Sequence, residues 1–298
     1  MSNLLIYSIP AFLTLLVLEV LWTRRQLREE SRAELRGYEK KDTLASLGMG
    51  VGNVIISAFT TLGAVALWTW GYQHRVSSLG EPSRWWSWLL LFIAEDLCYY
   101  WFHRGHHEVR LLWGAHVSHH TSQYFNLSTA LRQPWLTPVT GPLFWLPLGL
   151  LGYQAPQILT AQAVSLIYQF WIHTETVRRL PRALEWLLNT PSHHRVHHGK
   201  NVRYLDRNHG GVLIVWDRLF GTFARESEQE PVRYGITHDL ATYNPLRIAV
   251  HELVDIAHDL RRARSLKDRL GYLFAPPGWS PDGSTLTAKQ LREAERAE

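Results

Sequence analysis

Three short stretches of this sequence repeat one spacing of one residue type. His103, His106 and His107 stand at i, i+3 and i+4, as do His116, His119 and His120, and again His194, His197 and His198. On an α-helix those offsets fall within a wedge roughly 100° wide, so each set can turn three imidazoles toward one spot. Neutral imidazole is a natural ligand for iron, copper and zinc. One zinc ion needs only three or four ligands. These clusters, with the lone His173, exceed that number and favour a pair of metal ions. Isolated histidines such as His74, His238, His251 and His258 read as ordinary polar residues. His193, in "TPSHHRVHHGKN", falls about 90° from the centre of the third wedge and is expected to be a neighbour rather than a ligand.

The elements that must position these clusters are apolar. Hydrophobic residues make up 46 % of the chain, with fourteen tryptophans, yet mean hydropathy is only slightly negative because a polar segment follows about residue 175. A bilayer crossing needs about 20 apolar residues. Candidates are Leu4–Trp22, Leu44–Trp70, Trp85–Trp101 and a hairpin of Trp135–Tyr153 with Ala155–Ile172, flanked by Trp and Tyr as interfacial anchors. The first of these has neither a basic start nor a small-residue cleavage site and reads as a retained membrane helix. Seven Lys and Arg lie between the first two spans, whereas Gly71–Pro82 carries only Arg75. The positive-inside rule then puts the N-terminus outside and brings all the histidine clusters to the cytosolic face. The expected fold is an all-α integral membrane protein of about four to five membrane helices, with a cytosolic helical cap carrying a histidine-rich dimetal site. Its expected divisions are 1–95 (N-terminal membrane helices), 96–223 (the part carrying the histidine clusters, including the hairpin at about 135–172) and 224–298 (a cytosolic extension).

A net charge of +5 would suit nucleic acid only if the basic residues formed a recognition surface. Here they cluster beside apolar segments, which fits anionic lipid headgroups better. Cys98 is the single cysteine, so neither an intrachain disulfide nor a CxxC zinc site is available.

The stretches "DLCYYWFHRGHHE", "LLWGAHVSHH", "NLSTALRQP" and "TPSHHRVHHGKNVRYLDRNHGGVLIVWDRLFGTF" resemble the fatty acid hydroxylase/sterol desaturase superfamily of membrane non-haem di-iron oxygenases. The extended third box, with the later "YGIT", "NPLRI" and "PPGW", is most similar to the alkylglycerol monooxygenase branch. The resemblance implies metal ligation by His103, His107, His116, His119, His120, His173, His194, His197 and His198. It leaves His106 as an extra residue, since the family's first box is HRxxH. His209 stands where the family more often has Tyr. It also implies two iron ions, O₂ as co-substrate and an external electron donor, either tetrahydrobiopterin or a separate reductase. The substrate would be a membrane lipid, most simply an ether lipid hydroxylated at the carbon beside its ether oxygen. The membrane would be a bacterial inner membrane or the endoplasmic reticulum.

Metal-bound imidazoles hand their second N–H to a carboxylate or carbonyl. The expected outer partners are Asp96, Glu108, Glu175, Asp206 and Asp217, with Asn126, Arg132, His193 and Asn208 as loop-orienting or headgroup contacts. Asp96 stands out because a carboxylate in an apolar span needs a partner, and it lies two helical turns before His103. Three alternatives remain open: hydroxylation or desaturation of a fatty acyl, sterol-like or aminolipid substrate; a zinc metallohydrolase, although no HExxH is present; and a non-catalytic metal-binding membrane protein.

Overall fold

A computed structural model describes residues 3–29, 32 and 34–297; Glu30, Ser31 and Ala33 of the first basic loop lie outside it. Among the described residues the chain is helical, with two isolated β-bridges and no strand. Two long helices open it, α1 (Asn3–Arg28) and α2 (Lys40–Gln73). Both are apolar enough to cross a membrane, and only 6 % of the apolar window of each is buried. Side chains such as Leu62 and Phe59 are almost fully bare, which is the pattern of a lipid-facing surface rather than a water-facing one. At 1.5 Å per residue, the 34 residues of α2 reach about 50 Å, well beyond a hydrocarbon core of about 30 Å.

The next helix, α3 (Trp85–Glu108), ends in the first histidine set. Extended Val109 turns the chain into α4 (Arg110–His116), which runs directly into a 3₁₀ helix, Val117–Thr121. The second set therefore straddles a change of helix type. Beyond it, the span expected at Trp135–Tyr153 is not a continuous helix. It is α5 (Thr137–Thr140), a 3₁₀ turn (Pro142–Trp145) and α6 (Leu146–Leu150). Pro138, Pro142 and Pro147 each lie in the first turn of one piece, where the missing N–H is tolerated; none could be placed mid-helix without breaking it. The second arm is one helix, α7 (Ala155–Trp171), opened by a Gln154–Gln157 capping box. Neither it nor α3 is long and apolar enough to join α1 and α2 as candidate spans.

Two short helices follow, α8 (Arg182–Leu187) and α9 (Pro191–His197), and α9 holds the third set. After α10 (Val215–Leu219) come α11 (Pro245–Arg262), α12 (Leu266–Phe274) and α13 (Ala288–Ala297). The main core joins α2, α3, α6 and α7 around Trp68, Leu91, Leu148 and Ile158. A smaller one packs Ala45 and Met49 of α2 on Ile248 and Ala249 of α11. α11 also braces α4, because buried Arg110 pairs with Glu252 at 2.9 Å and Asp259 at 2.6 Å.

Candidate metal centre

Nine buried histidines meet where the ends of α3, α4, α7 and α9 converge. They form two groups: His103, His107, His116, His120 and His197, and His119, His173, His194 and His198. In each, the candidate ligand atoms lie within 4.8 Å of one another. The groups touch, with the His120 and His198 rings stacked at 4.4 Å.

The division cuts across the sequence sets, which corrects the expectation that each set aims at one spot. His119, at i+3 of its set, joins the second group, while His116 and His120, at i and i+4, stay in the first. In the third set, His197 joins the first group, while His194 and the helix-capping His198 join the second. His106 turns away altogether. Its Nδ1–H donates to the Phe102 carbonyl at 2.7 Å, and its Nε2 lies 2.8 Å from Thr140 Oγ1, so neither nitrogen is free. His193 is likewise engaged, at 3.2 Å from the Leu188 carbonyl and 3.1 Å from Glu185 Oε2.

The main chain sets the tautomers. His103, His119, His173 and His197 donate Nδ1–H to the carbonyls of His209, Arg132, Gln169 and Arg207, at 2.9, 3.1, 2.7 and 2.9 Å. Each of these neutral rings therefore presents a bare lone pair at Nε2. The lone pairs of His119 and His173 face each other at 3.1 Å, with His194 Nε2 only 2.9 Å from that of His173. Two acceptors cannot bond each other, so a cation is needed between them. Around one metal with bonds of about 2.1 Å, neighbouring ligand nitrogens sit roughly 3 Å apart. In the first group, Nε2 of His103, His107 and His197 is buried without any partner. Burial lowers the pKa of all nine rings, that of His119 to about 4, which keeps them in the neutral form a metal requires. The donor set fits a pair of nitrogen-preferring metal ions.

Of the expected outer carboxylates, Asp206 comes nearest. Its Oδ1 is 3.6 Å from His107 Nδ1, beyond hydrogen-bond length, and burial pushes its pKa up to about 7. Asp96 touches no imidazole. It accepts the N–H groups of Val212 (2.7 Å) and Leu213 (3.0 Å) and the indole of Trp216 (2.9 Å). Asp217 clamps the same loop through the N–H groups of His209 and Gly210. These two acids fix the segment whose His209 carbonyl orients His103. Gly211 is required between them, because a Cβ there would meet Tyr99 at 2.8 Å and Asp96 at 2.9 Å.

Asn208 adopts a left-handed φ of 58° and ties His193 O to Ala224 O. Glu108 makes an ordinary ion pair with Arg104 at 2.9 Å. Asn126 binds the Gly37 carbonyl at 2.8 Å, and Glu175 accepts the Arg36 N–H at 3.0 Å; neither reaches a histidine. Arg132 holds Asp42 and Ser46 on the overhanging start of α2 while its own carbonyl holds His119. Sequence reasoning missed Asp42, Glu185 and Thr140. Asp42 and Thr140 lie far along the chain from Arg132 and His106, and Glu185, eight residues before His193, stands at no spacing that marks it.

His209 is fully buried with both ring nitrogens unpartnered, 5.1 Å from the His107 ring centre. It belongs to neither of the two groups.

The fatty acid hydroxylase family matches residues 88–222. Alkylglycerol monooxygenase of Homo sapiens is 41 % identical over 244 residues, covering 80 % of this chain and 53 % of that protein. The enzyme of that name from Danio rerio is 44 % identical over 197 residues, covering 66 % and 43 %. Ornithine lipid hydroxylase OlsE of Rhizobium tropici is 30 % identical over 154 residues, covering 51 % and 46 %. The chain thus spans about half the length of the curated relatives it matches. No solved structure matches.

Proposed function

We propose that the chain, whose residues 88–222 match the fatty acid hydroxylase family, is a membrane-bound di-iron monooxygenase acting on an ether lipid. The observation that carries this reading is the pair of touching groups, five and four buried imidazoles, with lone pairs converging at about 3 Å. The identity of the chain to alkylglycerol monooxygenases supports the substrate class.

In this reading His103, His107, His116, His120 and His197 hold one iron, and His119, His173, His194 and His198 the other. When bound, the iron pair supplies the reduction of O₂ and the insertion of one oxygen atom into a C–H bond. The chain's own part is positional. The carbonyls of residues 132, 169, 207 and 209 hold four rings in register, Asp96 and Asp217 hold the loop behind them, and the buried shell excludes water. With the exposed apolar faces of α1 and α2 in the bilayer, α3 and α7 lie alongside them and the histidines sit at the membrane's cytosolic edge. The four-to-five-helix arrangement and the cytosolic cap belong to this proposal. Phe12 of α1 stacks on Phe170 of α7 at 4.1 Å. Electrons come from an external donor, tetrahydrobiopterin being the one proposed.

Protein purified without oxygen is expected to hold about two iron ions per chain. One zinc and no iron would sink the oxygenase reading. Incubation with ¹⁸O₂, an alkylglycerol and tetrahydrobiopterin is expected to label the product. The ornithine lipid hydroxylase relative favours one other reading, an aminolipid substrate. Label appearing only with an aminolipid, and without pterin, would establish that one instead.

A further inference from the structure

A cavity of about 320 Å³ opens beside the loop that carries Arg207, outside the histidine groups, and five arginines line it: Arg203, Arg207, Arg225, Arg292 and Arg296, with the single carboxylate Glu295. Three separate segments supply them. Arg203 and Arg207 come from the 3₁₀ turn and loop after α9, Arg225 from the chain beyond α10, and Arg292 and Arg296 from α13. The last helix is docked there by Arg292, whose Nη1 donates to the Leu205 carbonyl at 2.7 Å.

Among the described residues only Arg203 of the five has an ion-pair partner, Glu230 at 3.5 Å. Like charges gathered from three segments repel one another unless a counter-charge joins them. A guanidinium is planar and forked, and it matches the oxygens of phosphate two at a time. The volume sits at the small end of ligand sites, roughly 300–1,000 Å³, room enough for a phosphate group but not for a whole lipid.

We propose that this cleft binds phosphate, as the phosphate ester or diphosphate of a ligand that is either soluble or part of a lipid headgroup. Its wall is shared with the metal centre, since the Arg207 carbonyl accepts from His197 and Asp206 faces His107. A ligand held here would steady that loop.

The test needs no turnover, so it stands apart from the oxygenase reading. Full-length protein in neutral detergent is titrated calorimetrically with pyrophosphate at constant ionic strength, using the wild type and Arg225→Gln/Arg296→Gln. Both arginines make no hydrogen bond that the fold needs. Saturable binding is expected, weakened at least ~10-fold in the double variant, as loss of charged hydrogen bonds implies. Competition by phosphatidic acid in mixed micelles assigns the phosphate to a headgroup, and its absence assigns it to a soluble ligand. No binding beyond a chloride control, or equal affinity in the double variant, overturns the proposal.

Discussion

At the scale of the residue, an imidazole here is defined by what its second nitrogen does. His119 has one nitrogen on a carbonyl and one bare, whereas both nitrogens of His106 are engaged. His119→Ala and His197→Ala should each lose iron and turnover, while His106→Asn should keep about two irons per chain by metal analysis. A His106→Asn protein that purifies metal-free would make that residue a ligand.

The same burial governs acid stability. Eleven imidazoles, the nine with His106 and His209, have folded pKa values below the unfolded value of about 6.5, His106 and His119 at about 4. As pH falls through about 6.5 the unfolded chain takes up protons that the folded one refuses, so stability drops. Asp206 and Glu175, raised to about 7 by burial, act in the opposite sense, as do Asp217 and Glu252, also raised by burial, but the imidazoles outnumber them. The thermal midpoint of metal-free protein should therefore hold level above neutrality and fall steeply between about pH 6.5 and 4. A midpoint that rises on acidification would contradict this. The nine clustered histidines were legible in the sequence because their types and offsets are rare. Their carbonyl partners were not, since every residue carries a carbonyl and no side chain announces which one is used.

At the scale of the element, loops do as much as helices. Asp96 of α3 is the only carboxylate holding the Val212 and Leu213 N–H groups and the Trp216 indole. Asp96→Ala strands three donors, one buried and two part-buried, and should lower stability by at least ~2 kcal/mol. Metal affinity should fall by ~10- to 100-fold, as for the loss of an outer partner, measured by competition with a chelator. Unchanged affinity would mean that the loop holds its shape without the acid. Sequence spacing put Asp96 on the face of His103 but could not show that it acts through the main chain of a segment more than a hundred residues away. The reading of each set as one wedge failed for a local reason: in the second and third sets the i and i+4 rings stay together while the i+3 ring joins the other group. The expected hairpin failed at Trp135–Tyr153 because its three prolines suit three short starts better than one long run.

At the scale of the whole molecule, α1 and α2 divide the chain into a lipid-facing part and a part built around histidine. In a Cys98→Ala background, a membrane-impermeant maleimide should label Arg28→Cys and Ser83→Cys from opposite sides of sealed vesicles, and Leu62→Cys from neither. Ready labelling at residue 62, or both loops reacting from one side, would remove α2 from the bilayer. The overhang of α2 has its own role, since Asp42 and Ser46 grip Arg132 and thereby the His119 carbonyl bond. The division of the second and third sets carries the furthest. Because the second and third sets each send rings to both groups, the two sites are laced through the same backbone turns. The first ion to bind will freeze turns that the second would otherwise have to order. Loading should then be all-or-none, with a Hill slope above one in an iron titration and almost no singly occupied protein at half saturation.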